Sequence, residues 1–354
     1  MSSYTKEDLK GKALSVQGPI NPEDLGKTIC HEHLQIDFRV VLHDPPNPDD
    51  RRFKSEKLSL SNLGFIKTFW TANEDNLIID DIEISKKELL DFIKVGGGTI
   101  VDVTSIGLNR QPEKLKYLSE STKTNIIMGG GFYVDKSHPK NFKNKTAEEI
   151  SIEISKDILN GVDSSGIHSG IIGEVGCSFP LTPNERKSLM ASILAQKNTG
   201  APILIHPGRD ESAPLEIINF IIENGGDISH TVMGHIERTI YTKKMLNLVA
   251  ETGIFMNFDL FGHESSYYPL APSSYMPSDQ QRIETIKHLL DDGFGDQLLL
   301  GHDICSKHRL KDYGGHGWEH IIRNILPRMK ENGINDNHID DMIINNPKKM
   351  LTFF

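Results

Sequence analysis

The sequence predicts one α/β chain folded as a (β/α)8 barrel of the TIM type, and three observations carry that expectation. Eight short runs rich in Ile and Val recur along the 354 residues. Amphipathic helical patterns with caps and glycine stops follow them, which is the rhythm of βα units. No Gly-rich dinucleotide loop follows the first run, so the rival doubly wound sheet lacks its usual signature. α/β barrels commonly use such a length for one domain, and a single barrel domain over residues 1–354 is expected.

The chain begins with a polar, charged stretch (residues 1–12) that has no apolar core of the secretory-signal kind. Residues 13–17 form a short β-like run that stops at the turn signal Gly18-Pro19. The eight barrel strands are expected at residues 28–34, 99–104, 125–130, 170–176, 202–206, 231–235, 254–258 and 297–303. Between the first two lies a long mixed stretch with a Pro- and Asp-rich loop (44–52). A helical pattern through Leu89, Leu90, Phe92 and Ile93 then runs into Gly96-Gly97-Gly98.

Thr182-Pro183-Asn184-Glu185 combines a capping box with proline at the first helical position, and Gly200 closes that helix. Leu189, Met190, Ile193 and Leu194 make its apolar face. The stretch 215–224 repeats the pattern and ends at Gly225-Gly226. Ser278-Asp279-Gln280-Gln281 is a second capping box, leading into Ile283, Ile286, Leu289 and Leu290. The long insertions follow strand one (35–95) and strand seven (259–280), so both belong to the face where barrel loops build sites and both are expected as lids.

A formal net charge of −10 argues against nucleic acid and against anionic membranes as partners, because both reward clustered Lys and Arg. No apolar run approaches a membrane span. Three cysteines (Cys30, Cys177, Cys305) in so long a chain suit a reducing compartment, and the expected location is the cytosol. A homodimer is compatible with all of this.

The chemistry gathers at the strand ends. His31 and His33 alternate on strand one, so both face one side, a natural half-site for Zn²⁺ or a similar ion. Strand four places Glu174 inside an apolar run, where a charge is costly unless it is paired or coordinates a metal. Strand five ends at His206, strand six at His235 and strand eight at Asp303. Polar residues at the C-terminal strand ends of a barrel converge on its mouth. Four imidazoles and two carboxylates exceed what one metal can use with an open position, but two divalent metals sharing a carboxylate can use them. The imidazole-rich set favours Zn²⁺.

The same residues carry a family resemblance. GKTICHEHL (26–34), SGIIGEVGCSFPLT (169–182), PILIHPGRDESAP (202–214), ISHTVMGHIERT (228–239) and GHDICSKHRLKDYGGHGWEHI (301–321) resemble the phosphotriesterase branch of the amidohydrolase superfamily, as does nearly the whole chain. The resemblance implies that His31, His33 and Asp303 hold one metal and that His206 and His235 hold the other. It places Glu174 as the shared bridge, where bacterial phosphotriesterases use a carboxylated lysine. It also implies an amidohydrolase that cleaves N-acyl taurine, N-acetyltaurine among them, or related N-acyl amino acids. A lactonase or esterase with weak phosphotriesterase activity is the alternative, and a non-catalytic metal-binding barrel is the remote one.

Two divalent cations on two carboxylates would favour a bridging hydroxide at neutral pH. Asp303 could take its proton and return it to the leaving group, as amide cleavage requires. Arg209, Lys307 and Arg309 follow ligand-bearing strands, and cations there suit a small anionic amide or ester. Gly314-Gly315-His316-Gly317 is expected as a mobile stretch on the same face.

Overall fold

In the computed structural model, which describes residues 3–354, eight parallel strands stand side by side in sequence order. They are β1 (Lys27–Glu32), β2 (Gly97–Asp102), β3 (Asn125–Gly130), β4 (Ile171–Gly176), β5 (Ile203–His206), β6 (Thr231–Met233), β7 (Phe255–Phe258) and β8 (Leu298–Leu300). The Asp303 N–H donates to the His31 carbonyl (3.1 Å), bringing the last strand against the first in a nearly closed barrel. The predicted strands and these agree to within a few residues. β6 and β8 stop short because their final residues leave the ladder to aim side chains at the mouth.

Alternation along each strand separates two cores. Val101, Ile127, Ile171, Leu204 and Leu299 pack inside the barrel. Their neighbours Ile100, Ile126, Ile172, Ile203 and Leu298 face outward to the helix layer. That layer comprises α1 (Ile82–Lys94), α2 (Pro112–Thr122), α3 (Ala147–Leu159), α4 (Pro183–Thr199), α5 (Ala213–Glu223), α6 (Lys243–Ala250) and α7 (Asp279–Asp291). After β8, a π-helical turn (Ile321–Ile325) leads into α8 (Leu326–Glu331).

Both predicted capping boxes form, Thr182 with Glu185 on α4 and Ser278 with Gln281 on α7. On α4, Leu189 and Ile193 are buried, but Met190 and Leu194 are only half so. The buried face is wider than expected and includes Ser188, Ala191, Ser192 and Gln196, small or polar residues that let α4 sit closely on its neighbours.

The insertion after β1 folds back through an antiparallel pair, Ile36–Asp37 with Ile78–Ile79. It brings Phe38 and Trp70 over the mouth, and the insertion after β7 brings Tyr268 and Met276. Both insertions are walls of the central recess. Among the described residues, no helix is long and apolar enough to cross a membrane.

Candidate metal centre

Two strand irregularities aim the key residues. On β1, three steps from Ile29 to Glu32 match only two on β2, from Ile100 to Asp102. One extra residue breaks strict alternation, so Cys30 joins the inner core while His31 and His33 reach the mouth together. The same surplus occurs on β4, where Ile172 to Val175 spans only Ile203 to Ile205 of β5, and Glu174 lies within it. His235 and Asp303, just past β6 and β8, both adopt a left-handed backbone (φ 52° and 49°). Such a conformation costs a non-glycine residue roughly 1–3 kcal/mol, which the packing around it must offset.

The structure brings all six predicted ligand residues to one point. His33 Nε2 lies 3.2 Å from Asp303 Oδ1 and 3.5 Å from Glu174 Oε1. His31 Nε2 lies 3.7 Å from both Glu174 Oε2 and Asp303 Oδ1. On the other side, His206 Nδ1 is 2.8 Å and His235 Nε2 3.4 Å from Glu174 Oε2, and the two imidazole nitrogens are 2.9 Å apart. His31 is fully buried; its Nδ1 lies in ion-pair reach of a carboxylate but outside hydrogen-bond geometry, and its Nε2 has no hydrogen-bond partner among the described residues.

That orphaned nitrogen tests whether a metal fits. Two ligand atoms on one tetrahedral Zn²⁺, with bonds of about 2.0 Å, stand roughly 3.3 Å apart. The separations in the first triad (His31, His33, Asp303) bracket that value, and the second triad (Glu174, His206, His235) is slightly tighter. Glu174 reaches both triads with different oxygens. The donor set fits a divalent cation in each.

Charge in this cluster is strongly coupled. Burial pulls the His31 imidazole down, but Asp259, Glu174 and Asp303 outweigh it and lift it to about 10. Burial dominates at His206 and holds it down to about 3, against the pull of Glu174. Burial would raise Glu174, yet the surrounding imidazoles, His206 first, keep it well below the usual carboxylate range.

Asp259 is the residue that sequence reasoning missed. It follows β7, fully buried, with Oδ2 2.8 Å from His31 Nδ1 and Oδ1 2.8 Å from His235 Nδ1. A carboxylate there holds the Nδ1 proton of His235, sits in ion-pair reach of His31 Nδ1 and turns both Nε2 atoms toward the cluster. The signal was present in the sequence: an acid closing an apolar strand, as with Glu174. Gly301 makes room for it, since a Cβ there would lie 2.9 Å from the Asp259 Cβ and 3.0 Å from that of His31. Thr104 Oγ1 orients His33 through Nδ1 (2.9 Å).

Not every predicted contact residue reaches the recess. Arg209 does, lining it beside Tyr133, His206 and Asp303. Lys307 is instead paired with Asp75 (2.8 Å), and Arg309 is buried with its Nη1 donating to the carbonyls of His302 (2.6 Å) and Asp303 (2.9 Å) and its Nη2 to that of Phe261 (2.7 Å). In this structure Lys307 and Arg309 tie the loop after β8 to its neighbours instead of lining the recess. Glu32, between the two candidate ligand histidines, is likewise a tie. It accepts from the backbone N–H of His302 (2.9 Å) and of Ile304 (3.2 Å) and contacts His302 Nδ1.

The recess itself is narrow, about 20 Å³, and shares Tyr133, His206, Arg209 and Leu270 with an outer cavity of about 720 Å³. Arg238, from the turn after β6, is a further basic group on its wall and another residue the sequence reading did not single out.

Comparison with known proteins gives a consistent picture. The profile of the phosphotriesterase family matches residues 11–351. A phosphotriesterase-related protein of Nematostella vectensis is 45% identical over 346 residues, covering 97% of this chain and 99% of that one. The N-acetyltaurine hydrolase of Bos taurus is 44% identical over 346 residues, covering 98% and 99%. Among solved structures, a resiniferatoxin-binding protein from Rhodobacter sphaeroides superposes with a TM-score of 0.94 at 31% identity, covering 99% of this chain and 98% of that one.

Proposed function

The chain belongs to the phosphotriesterase family, and on that premise we propose that it is a binuclear metal-dependent amidohydrolase that cleaves N-acetyltaurine or a closely related N-acyl amino acid. The observation that carries this reading is Glu174, one carboxylate whose two oxygens reach both histidine triads. His31, His33 and Asp303 would hold one ion and His206 and His235 the other, with Glu174 between them. Zn²⁺ suits a site with four imidazoles. When bound, two such ions polarise the scissile carbonyl and bring the pKa of water to about 7.

The remaining work falls to side chains. Asp303 is the most exposed of the ligand carboxylates, with a side chain 15% accessible against 3% for Glu174. It faces the recess and can accept a proton from water and pass it to the departing nitrogen, which amide cleavage needs because an amine anion is a very poor leaving group. Asp259, beside Nδ1 of both His31 and His235, would orient the two rings so that Nε2 faces the ions. Phe38, Trp70, Leu260 and Met276 close the recess against bulk water. Arg209, with its Nε donating to Tyr268 Oη (2.8 Å) and no carboxylate partner among the described residues, would hold the anionic end of the substrate. Three free, buried cysteines agree with a reducing compartment, so the cytosol is the proposed location.

The test is a panel assay on protein purified without chelator, with metal content measured in parallel. About two divalent ions per chain and turnover of N-acetyltaurine well above that of lactones and paraoxon are expected. Turnover confined to lactones would replace amide cleavage with ester chemistry. One ion or none would remove the binuclear site.

A further inference from the structure

The recess holds two guanidinium groups, and neither has an acid to answer it among the described residues. Arg238 is buried at 4% exposure, and Arg209 stands beside it on the next loop. Arg238 donates from Nη1 to Thr239 Oγ1 (3.1 Å) and from Nη2 to the Pro207 carbonyl (3.0 Å), both neutral acceptors. Its third neighbour is His206 Nε2, at 3.3 Å. His206 Nδ1 donates toward Glu174 and His235, which leaves Nε2 as a third neutral acceptor for Arg238. Arg209 has one hydrogen bond, to Tyr268.

One further donor of the recess lacks an acceptor among the described residues. The Trp70 indole N–H is buried without a partner, and Trp70 lines the same recess. Elsewhere in this protein, other covered arginines pair with acids, or in one case hold backbone carbonyls. Arg282 bonds Glu237 and Asp279, Arg110 bonds Asp157, and Arg309 takes three backbone oxygens. A buried cation without a counter-charge is costly, and two side by side repel. Such a pair is retained where a ligand supplies the missing charge.

We propose that Arg238 and Arg209 together form a receptor for the anionic terminus of the substrate, a sulfonate or carboxylate set about two carbons from the scissile amide nitrogen. This rests on the amidohydrolase reading and adds the residue that makes the anion a requirement. Arg209 alone gives a point of attraction. A second guanidinium from a different loop fixes the direction of the anion, and so the position of the amide relative to Asp303.

The test compares N-acetyltaurine, its carboxylate counterpart N-acetyl-β-alanine and the uncharged N-ethylacetamide in metal-loaded wild type, Arg238→Met and Arg238→Lys. Arg238→Met should reduce kcat/KM for both anionic amides roughly 10- to 100-fold, chiefly through KM, and so lower their preference over the neutral amide by a similar factor. Arg238→Lys should recover part of the preference. A loss confined to the sulfonate, or confined to the carboxylate, identifies which anion the receptor is built for. Equal losses on all three amides would overturn the receptor and make Arg238 a support for His206. Calorimetric titration with ethanesulfonate separates this proposal from the amidase reading. If wild type hydrolyses no amide but binds ethanesulfonate at least ten times more tightly than Arg238→Met, the receptor stands and amide cleavage falls. Equal affinity in the two proteins overturns the receptor.

Discussion

Two neighbouring regions on the mouth of this barrel use the same residue types to opposite ends. At the ends of β1, β4, β5, β6 and β8, imidazoles and carboxylates converge with His31 Nε2 left unpaired, and two guanidiniums on the recess wall lack acids. In the segment after β8, Lys307, His308, Arg309 and Lys311 are just as polar, yet each is already answered. Lys307 pairs with Asp75, His308 with Asn76, Arg309 with three carbonyls, and Lys311 with Asp91 and Glu319. Position on the face does not separate a site from its scaffold. Whether the cationic side chains already have partners does.

Asp303→Asn tests the first region most severely. It keeps the shape and a ligand oxygen but cannot accept a proton, so kcat should fall by roughly 10²- to 10⁴-fold with most of the metal retained. Full activity in this variant would mean that the proton leaves by another route. Arg209→Met comes next. It should raise KM for an anionic amide roughly 10- to 100-fold and change a neutral lactone far less, as a charge-assisted contact would. Asp259→Asn acts through the histidines it orients, lowering metal affinity about 10- to 100-fold in a chelator competition. Unchanged affinity would mean that packing alone holds His31 and His235.

The contrast also explains what the sequence could and could not disclose. The barrel was legible because its signals are local: period-two runs, capping boxes at Thr182 and Ser278, a left-handed Gly200 at the end of α4. The convergence of the six candidate ligands was legible because polar residues at the ends of apolar strands are conspicuous. Asp259 and Arg238 carried similar signals but depend on contacts across strands, Asp259 with β1 and β6 and Arg238 with the loop after β5. For Lys307 and Arg309 the converse holds. Their cationic character is plain in the sequence, but the partners that occupy them are Asp75, 232 residues away in the chain, and backbone carbonyls that no pattern reveals.

The scaffold region has its own pH signature. Glu88, on α1, lies buried beneath the loop after β8, where its Oε1 accepts the Lys311 N–H (2.6 Å) and its Oε2 has no partner. Burial outweighs that hydrogen bond and pushes its carboxyl up to about 7. The folded state therefore holds this proton more tightly than the unfolded chain. The associated stability is fully present below about pH 4.5 and is lost as the pH rises through about 7. Glu88→Gln keeps the buried shape without titrating, so the gap in Tm between the variant and wild type should widen in the variant's favour from about pH 5 to pH 8. Parallel Tm curves would mean that Glu88 stays ionised through a contact this geometry lacks.

The smallest effect expected is also the one that separates the two regions most sharply. Lys307 sits on the loop directly after Asp303, where a substrate-binding cation would be sought, but its ammonium is 2.8 Å from Asp75 Oδ1 and both side chains are largely covered. Asp75 also accepts the Leu58 N–H (3.0 Å), so it is held without the lysine. Lys307→Met should then alter KM for an anionic amide less than about twofold, while a double-mutant cycle with Asp75→Asn should give a coupling of about 1 kcal/mol or less, the range of partly exposed pairs. A tenfold rise in KM would mean that Lys307 leaves Asp75 and reaches the recess when substrate binds. The loop after β8 would then belong to the site, and a satisfied hydrogen bond in the free protein would no longer distinguish scaffold from chemistry.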